Sequence, residues 1–178
     1  MLTPISEYAR LRRGAIQAMA TEIERKFLVV SDAWRRDVEQ SIPIAQGYIQ
    51  AEKDRVVRVR LKGEQAFLTV KVARSHVERL EFEYPIPSTD AEELIETACD
   101  EGSVSKIRHL IPASNGLVWE IDEFQGENAP LIVAEIELPS TNTAFEHPPW
   151  LGTEVSEDPR YLNASLSKHP WASWPENG

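Results

Sequence analysis

The 178-residue chain has a single cysteine, Cys99. That excludes an internal disulfide framework, and with no thiol or histidine partner nearby Cys99 makes no zinc site; it reads as a helix residue. No apolar run approaches the roughly 20 residues of a membrane-spanning helix, and the N-terminus lacks the apolar core of a secretion signal. A cytoplasmic location and no membrane partner are expected. Positive charge is in deficit, with 19 Lys and Arg against 29 Asp and Glu and a net charge of -10. Sequence-independent binding to long nucleic acid relies on excess Lys and Arg and is argued against. A small anion reached through local basic residues is still allowed. The four histidines, His76, His109, His147 and His169, show no paired ligand spacing, and there is no glycine-rich phosphate loop or serine nucleophile elbow.

Hydrophobic residues make up 42% of the chain, enough for one domain with a real core. Residues 1–18, with Tyr8-Ala9-Arg10-Leu11-Arg12-Arg13, could form a basic, weakly amphipathic helix. Because Met19 precedes the first patterned stretch, residues 1–18 are read as an N-terminal extension that need not be native. The expected domain is 19–178.

From Thr21 onward, strand patterns follow one another. A strand points alternate side chains to opposite faces, so Glu22, Glu24 and Lys26 share a face opposite Ile23. The stretches 44–50, 56–62, 66–72, 79–84, 104–111, 117–123 and 131–138 alternate in the same way. Ser31 is the expected N-cap of a short helix around Trp34, ended by a Ser41-Ile42-Pro43 turn. A second helix is expected from Ser88 to Gly102, and a third from Asp158 through Leu166. The tail with Trp171 and Trp174 either docks or is partly disordered. The fold class is therefore α+β, mainly β: an eight-stranded antiparallel β-barrel, closed or nearly so, with flanking helices.

Charges on alternate strand positions usually mark a wet face. Here like charges sit together in pairs by strand: Arg58 with Arg60 and Lys106 with Arg108, against Glu22 with Glu24, Glu81 with Glu83, Glu120 with Asp122 and Glu135 with Glu137. Neighbours at i and i+2 lie about 7 Å apart, where like charges repel by roughly 2 kcal/mol at an effective dielectric near 20. Bound ligands would offset such a cost. Carboxylate pairs suit Mg2+ or Mn2+, and Arg and Lys pairs suit phosphate oxygens. Together they describe a site for a metal-bound polyphosphate.

These residues carry a resemblance. Glu22-Ile23-Glu24-Arg25-Lys26 matches the ExExK signature of the CYTH superfamily, the triphosphate tunnel metalloenzymes. The likeness continues in order through Arg58-Val59-Arg60, Thr69-Val70-Lys71, Arg79 with Glu81 and Glu83, Lys106-Ile107-Arg108, Trp119-Glu120-Ile121-Asp122, Ala134-Glu135-Ile136-Glu137 and Gly152-Thr153-Glu154-Val155. The family's fold is an eight-stranded antiparallel tunnel. The resemblance implies that Glu22, Glu24, Glu135 and Glu137 bind metal, with Glu81, Glu83, Glu120, Asp122 and Glu154 as supporting or second-metal ligands. It gives Lys26, Arg58, Arg60, Lys71, Arg79, Lys106 and Arg108 to the triphosphate, and Lys106, Tyr48 and Glu24 to catalysis. The expected activity is Mg2+- or Mn2+-dependent hydrolysis of inorganic triphosphate, as in short bacterial members. The alternatives are a thiamine or nucleoside triphosphatase, a class IV adenylate cyclase, or a non-catalytic polyphosphate-binding module. The partner is a small anion, and a homodimer is possible.

Overall fold

The computed structural model describes residues 23–175 apart from 53, 74–78 and 101. The expected N-terminal helix, Met19 and Glu22 therefore lie outside the described residues. Nine strands form one sheet: β1 (Ile23–Val29), β2 (Gln40–Ala51), β3 (Arg55–Lys62), β4 (Gln65–Ala73), β5 (Arg79–Ile86), β6 (Ser103–Pro112), β7 (Val118–Phe124), β8 (Ile132–Leu138) and β9 (Leu151–Glu154). Helix α1 spans Ser88–Ala98 and α2 spans Asn163–Lys168. The strand order is β5-β4-β3-β2-β6-β7-β8-β1-β9, and all of its pairs are antiparallel.

The antiparallel, mainly-β expectation holds, but hydrogen bonds do not close the sheet. Among the described residues, β5 and β9 are its two edges. The ninth strand went unrecognised because four residues are too few to show a period of two. Gly152 lets β9 lie against β1, since a Cβ there would sit 2.9 Å from the Leu28 carbonyl oxygen. Beyond β9 the chain turns inward. Val155, Tyr161, Leu166 and Trp174 pack on Val104, Phe124, Leu131 and Val133, residues that share a sheet face with Lys106, Asp122 and Glu135. The C-terminal segment thus seals one end of the charged face instead of extending the sheet toward β5.

The opposite face holds the main core, with Phe27, Trp34, Ile111, Trp119, Ile121, Ile136 and Trp150 all buried. There, too, α1 covers β3 and β4 through Ala91, Leu94 and Ile95. Gly47 permits this approach: a Cβ on it would stand 2.6 Å from the sulfur of Cys99, the buried residue that ends α1.

Several local expectations shift. The first helix is a 3-10 turn at Asp32–Asp37 with no side-chain bond from Ser31. Ser41-Ile42-Pro43 is not a turn; it pairs with His109, Arg108 and Ile107 of β6, because ladder pairing overrides a local proline preference. Ser88 starts α1 without capping it. The third helix breaks at Leu162 into a 3-10 turn, Pro159–Tyr161, followed by α2. The tail docks: Trp174 is buried against Tyr161, and the Trp171 backbone N–H donates to Asn128 Oδ1 at 2.9 Å. No helix among the described residues is long and apolar enough to cross a membrane.

Edge strand β9 is tied to β1 by a forked ion pair between Arg25 and Glu154. The guanidinium holds the Glu154 carboxyl down from its ordinary 4.5 to about 2. A carboxyl depressed in the folded state adds stability above its unfolded pKa and loses it as pH falls through the folded one. Arg25→Met should therefore flatten the decline in thermal midpoint between pH 4.5 and about 2, read by calorimetry. An unchanged slope would show that the pair contributes nothing, as many exposed pairs do.

Candidate active site

The register lays the charged side chains in rows across one face. Residues directly opposite on antiparallel strands share a face, so their side chains are neighbours. One row runs Lys26, Glu135, Glu120, and the next aligns Glu24 with Glu137. A third places Asp122 beside Arg108. On the other arm of the sheet, Tyr48, Arg58, Thr69 and Glu83 form a row, with Gln46 beside Arg60 and Lys71 beside Glu81.

The two arms face each other. β2 and β1 are four strand steps apart, about 19 Å on a flat sheet. Lys26 and Tyr48 are nevertheless both buried, at 7% and 5% exposed, on the same charged face. The sheet is therefore curled, with the charged side chains on its concave side. An ordinary wet face would leave them exposed, yet Asp122 is 0% exposed, Lys106 2%, Glu135 4% and Lys26 7%.

The acidic arm is a continuous ion-pair ladder. Lys26 bonds Glu135 and lies 2.6 Å from Glu24. Arg108 reaches both Asp122 oxygens and Glu135, each at 2.7 Å, and also bonds Glu120. Lys106 donates to Asp122 and, at 3.1 Å, to Asn163 Oδ1, with its ammonium 5.3 Å from the Phe124 ring centroid. Burial lowers the Lys106 pKa, and the Arg108 charge adds to this against the pull of Asp122. Burial also works against the charged forms of Asp122, Lys26 and Arg108, but their ion partners outweigh it. Asp122 is held below the usual carboxylate range, and both bases are held above theirs.

The basic arm is less well matched. Glu83 serves two arginines, at 3.6 Å from Arg58 and 3.2 Å from Arg60. Thr69 sits between, accepting from Arg58 at 3.3 Å and donating to Glu83 at 2.9 Å. The buried Nε atoms of Arg58 and Arg60 find no hydrogen-bond partner among the described residues. Burial, then the adjacent Arg58 charge, lowers the Arg60 pKa. Lys71 pairs with Glu81 at 2.8 Å. Burial pushes the Tyr48 phenol up to about 12, so it is a proton donor and not a base at neutral pH. Gln46 Nε2 donates to its oxygen at 2.7 Å.

The structure thus gathers Glu24, Lys26, Lys106, Arg108, Glu120, Asp122, Glu135 and Glu137 on one arm, and Tyr48, Arg58, Arg60, Lys71, Glu81 and Glu83 on the other. Glu154 lies apart, aligned with Phe27 on the opposite face and paired with Arg25. Arg79 opens β5, and its side chain is outside the described part. Among the described residues, no three Asp, Glu, His or Cys side chains already converge as a metal shell. Thr69, Gln46 and Asn163 carry no site role in the sequence reading. Strand parity could have found the first two; Asn163 comes from a helix that no period-two pattern reaches.

The concave face is thus buried and carries charges of both signs, acidic side chains on one arm and basic ones on the other. The chain belongs to the CYTH domain family, whose sequence model matches residues 20–170. It is 44% identical over 158 residues to an inorganic triphosphatase of Acetivibrio thermocellus, covering 89% of this chain and 100% of that one. An inorganic triphosphatase of Nitrosomonas europaea is 37% identical over 151 residues, covering 83% and 97%. The crystal structure of the inorganic triphosphatase NE1496 superposes with a TM-score of 0.66 at 37% identity, covering 84% of this chain and 96% of that one.

Removing one member of a buried ion pair strands the others without water. Asp122→Ala should therefore cost about 3–5 kcal/mol in urea unfolding. A loss below about 1 kcal/mol, the level of an exposed pair, would contradict the burial of this ladder.

Proposed function

We propose that the protein hydrolyses inorganic triphosphate to phosphate and pyrophosphate with Mg2+ or Mn2+. The observation that carries this reading is the pair Arg58 and Arg60: adjacent, partly buried guanidiniums sharing one carboxylate, each with a buried Nε–H that finds no partner among the described residues. Buried donors without partners are rare and costly, and phosphate oxygens match the guanidinium fork. The two relatives described above, inorganic triphosphatases that match nearly their whole lengths, support the same substrate.

The donor set also fits a hard divalent cation. Glu24 is aligned with Glu137, and Glu120 with Glu135, so carboxylate oxygens, the ligands that a hard divalent cation takes, lie side by side. Glu24, Glu135 and Glu137 would hold the metal, with Glu120 and Asp122 in support and Glu22 contributing from outside the described residues. Bound there, the metal supplies charge neutralisation and a water of lowered pKa.

Phosphoryl transfer needs positioning and charge stabilisation more than covalent chemistry. Arg58, Arg60 and Lys71, with Arg79, hold the phosphates from one arm, while Lys26, Lys106 and Arg108 contact them from the other. Glu24 orients the attacking water and takes its proton. As the terminal phosphorus–oxygen bond breaks, the Lys106 ammonium stabilises the charge on the departing pyrophosphate oxygen. The Tyr48 phenol, protonated at neutral pH, donates a hydrogen bond to a phosphate oxygen. The apolar end of the concave face is already filled by Tyr161, Leu166 and Trp174, which favours an unsubstituted triphosphate over one carrying a base or thiamine. The domain, 19–178, works in the cytoplasm, and its concave face becomes a tunnel when ligands bridge the two arms.

The test is turnover of inorganic triphosphate, thiamine triphosphate and ATP with Mg2+ or Mn2+, following phosphate, pyrophosphate and cyclic AMP. Inorganic triphosphate should be consumed fastest, and chelation should stop the reaction. Glu24→Gln should abolish turnover. Arg60→Ala, which removes charge-assisted bonds of about 1.5–3 kcal/mol, should lower kcat/KM roughly 10- to 150-fold. Tight triphosphate binding with no turnover would instead make the protein a binding module, and cyclic AMP from ATP would make it a cyclase.

A further inference from the structure

Among the described residues, Asn163 makes the one polar contact to Lys106 that comes from outside the sheet. It is the first residue of α2, 57 positions along the chain from the lysine, and its Oδ1 lies 3.1 Å from the ammonium. Lysine only donates, so the amide oxygen must be the atom that faces it. Its backbone is placed by two anchors. Before it, the Asp158 carboxylate caps the Pro159–Tyr161 turn through the Arg160 N–H at 3.0 Å. After it, Leu166 is fully buried with Tyr161 and Trp174 in the apolar seal of the concave face.

We propose that Asn163 is a positioning residue that aims the Lys106 ammonium at the departing phosphate oxygen. This inference rests on the triphosphatase reading above. A lysine ammonium is a point charge with three N–H bonds on a flexible stem, and nothing intrinsic to it selects a direction. Asp122 takes one N–H and Asn163 a second, while Phe124 blocks the space 5.3 Å away. Two fixed acceptors define the axis of the third N–H, which is left for substrate. A neutral acceptor suits the second place. Another carboxylate would bring a further negative charge beside a polyanionic substrate, whereas an amide directs the donor without repelling it.

The experiment compares full-length Asn163→Leu, which keeps the volume and removes the acceptor, with Asn163→Ser, which keeps a shorter oxygen acceptor. Both are also made in a Lys106→Ala background. With inorganic triphosphate and Mn2+, Asn163→Leu should lower kcat by about 10- to 100-fold, the scale of losing reactant alignment, while KM changes less than threefold. Asn163→Ser should recover part of the loss. In the Lys106→Ala background, Asn163→Leu should produce no further loss of kcat, the mark of two residues acting as one unit.

Equal kcat for wild type and Asn163→Leu would overturn the proposal. So would an undiminished effect of Asn163→Leu without Lys106, or a kcat loss matched by the fraction of unfolded protein in circular dichroism. A wild-type protein that turns over no inorganic triphosphate would overturn the functional reading, and this inference with it, so the two failures are distinguishable.

Discussion

The ion-pair ladder across β6, β7, β8 and β1 is the constraint on which the rest of the concave face depends. Lys106, Asp122, Arg108, Glu135 and Lys26 each lose most of their water, and each is ion-paired with the next. Charge in a low-dielectric setting is tolerated only when paired and hydrogen-bonded. Once in place, such a ladder fixes its side chains in single orientations, as a site that positions a polyanion requires. A purely apolar face would be as stable and would bind nothing.

The remaining architecture keeps that ladder dry at one end and accessible at the other. The apolar core lies on the opposite side of the sheet, with Trp34, Trp119 and Ile136 among its most buried members. The C-terminal segment then covers the end of the charged face nearest Lys106, and through Asn163 it also touches the lysine. On the other arm, Arg58 and Arg60 are only partly neutralised by Glu83. The contrast between an acidic arm whose bases are fully ion-paired and a basic arm whose arginines share one carboxylate gives the site its polarity, which the proposed function uses with the cation on one wall and phosphate reaching the other.

Much of this was legible in the sequence because one sheet face was charged and period-two alternation exposed it. Eight of the nine strands follow from that pattern, and so does the shared sheet face of Arg58, Arg60, Lys106, Arg108, Asp122 and Glu135. What the pattern could not carry was long-range geometry. The four-residue β9 has too short a period to be seen, and its partner β1 lies over a hundred residues away in the chain. Glu154 looked like one more acidic ligand, but the register of that same short strand turns it to the opposite face. Closure could not be read either, since it depends on where residues after Glu154 go. They go inward, for the burial of Tyr161, Leu166 and Trp174.

The central claim is that the two arms hold different ions: a divalent cation among Glu24, Glu135 and Glu137, and triphosphate against Arg58 and Arg60. Anomalous scattering from Mn2+ in crystals of the protein grown with a non-hydrolysable triphosphate analogue tests it most directly. The Mn2+ peak should lie on the β1–β8 carboxylates, with the phosphorus positions between them and the β3 arginines. A peak elsewhere, or an analogue bound away from Arg58 and Arg60, would contradict it.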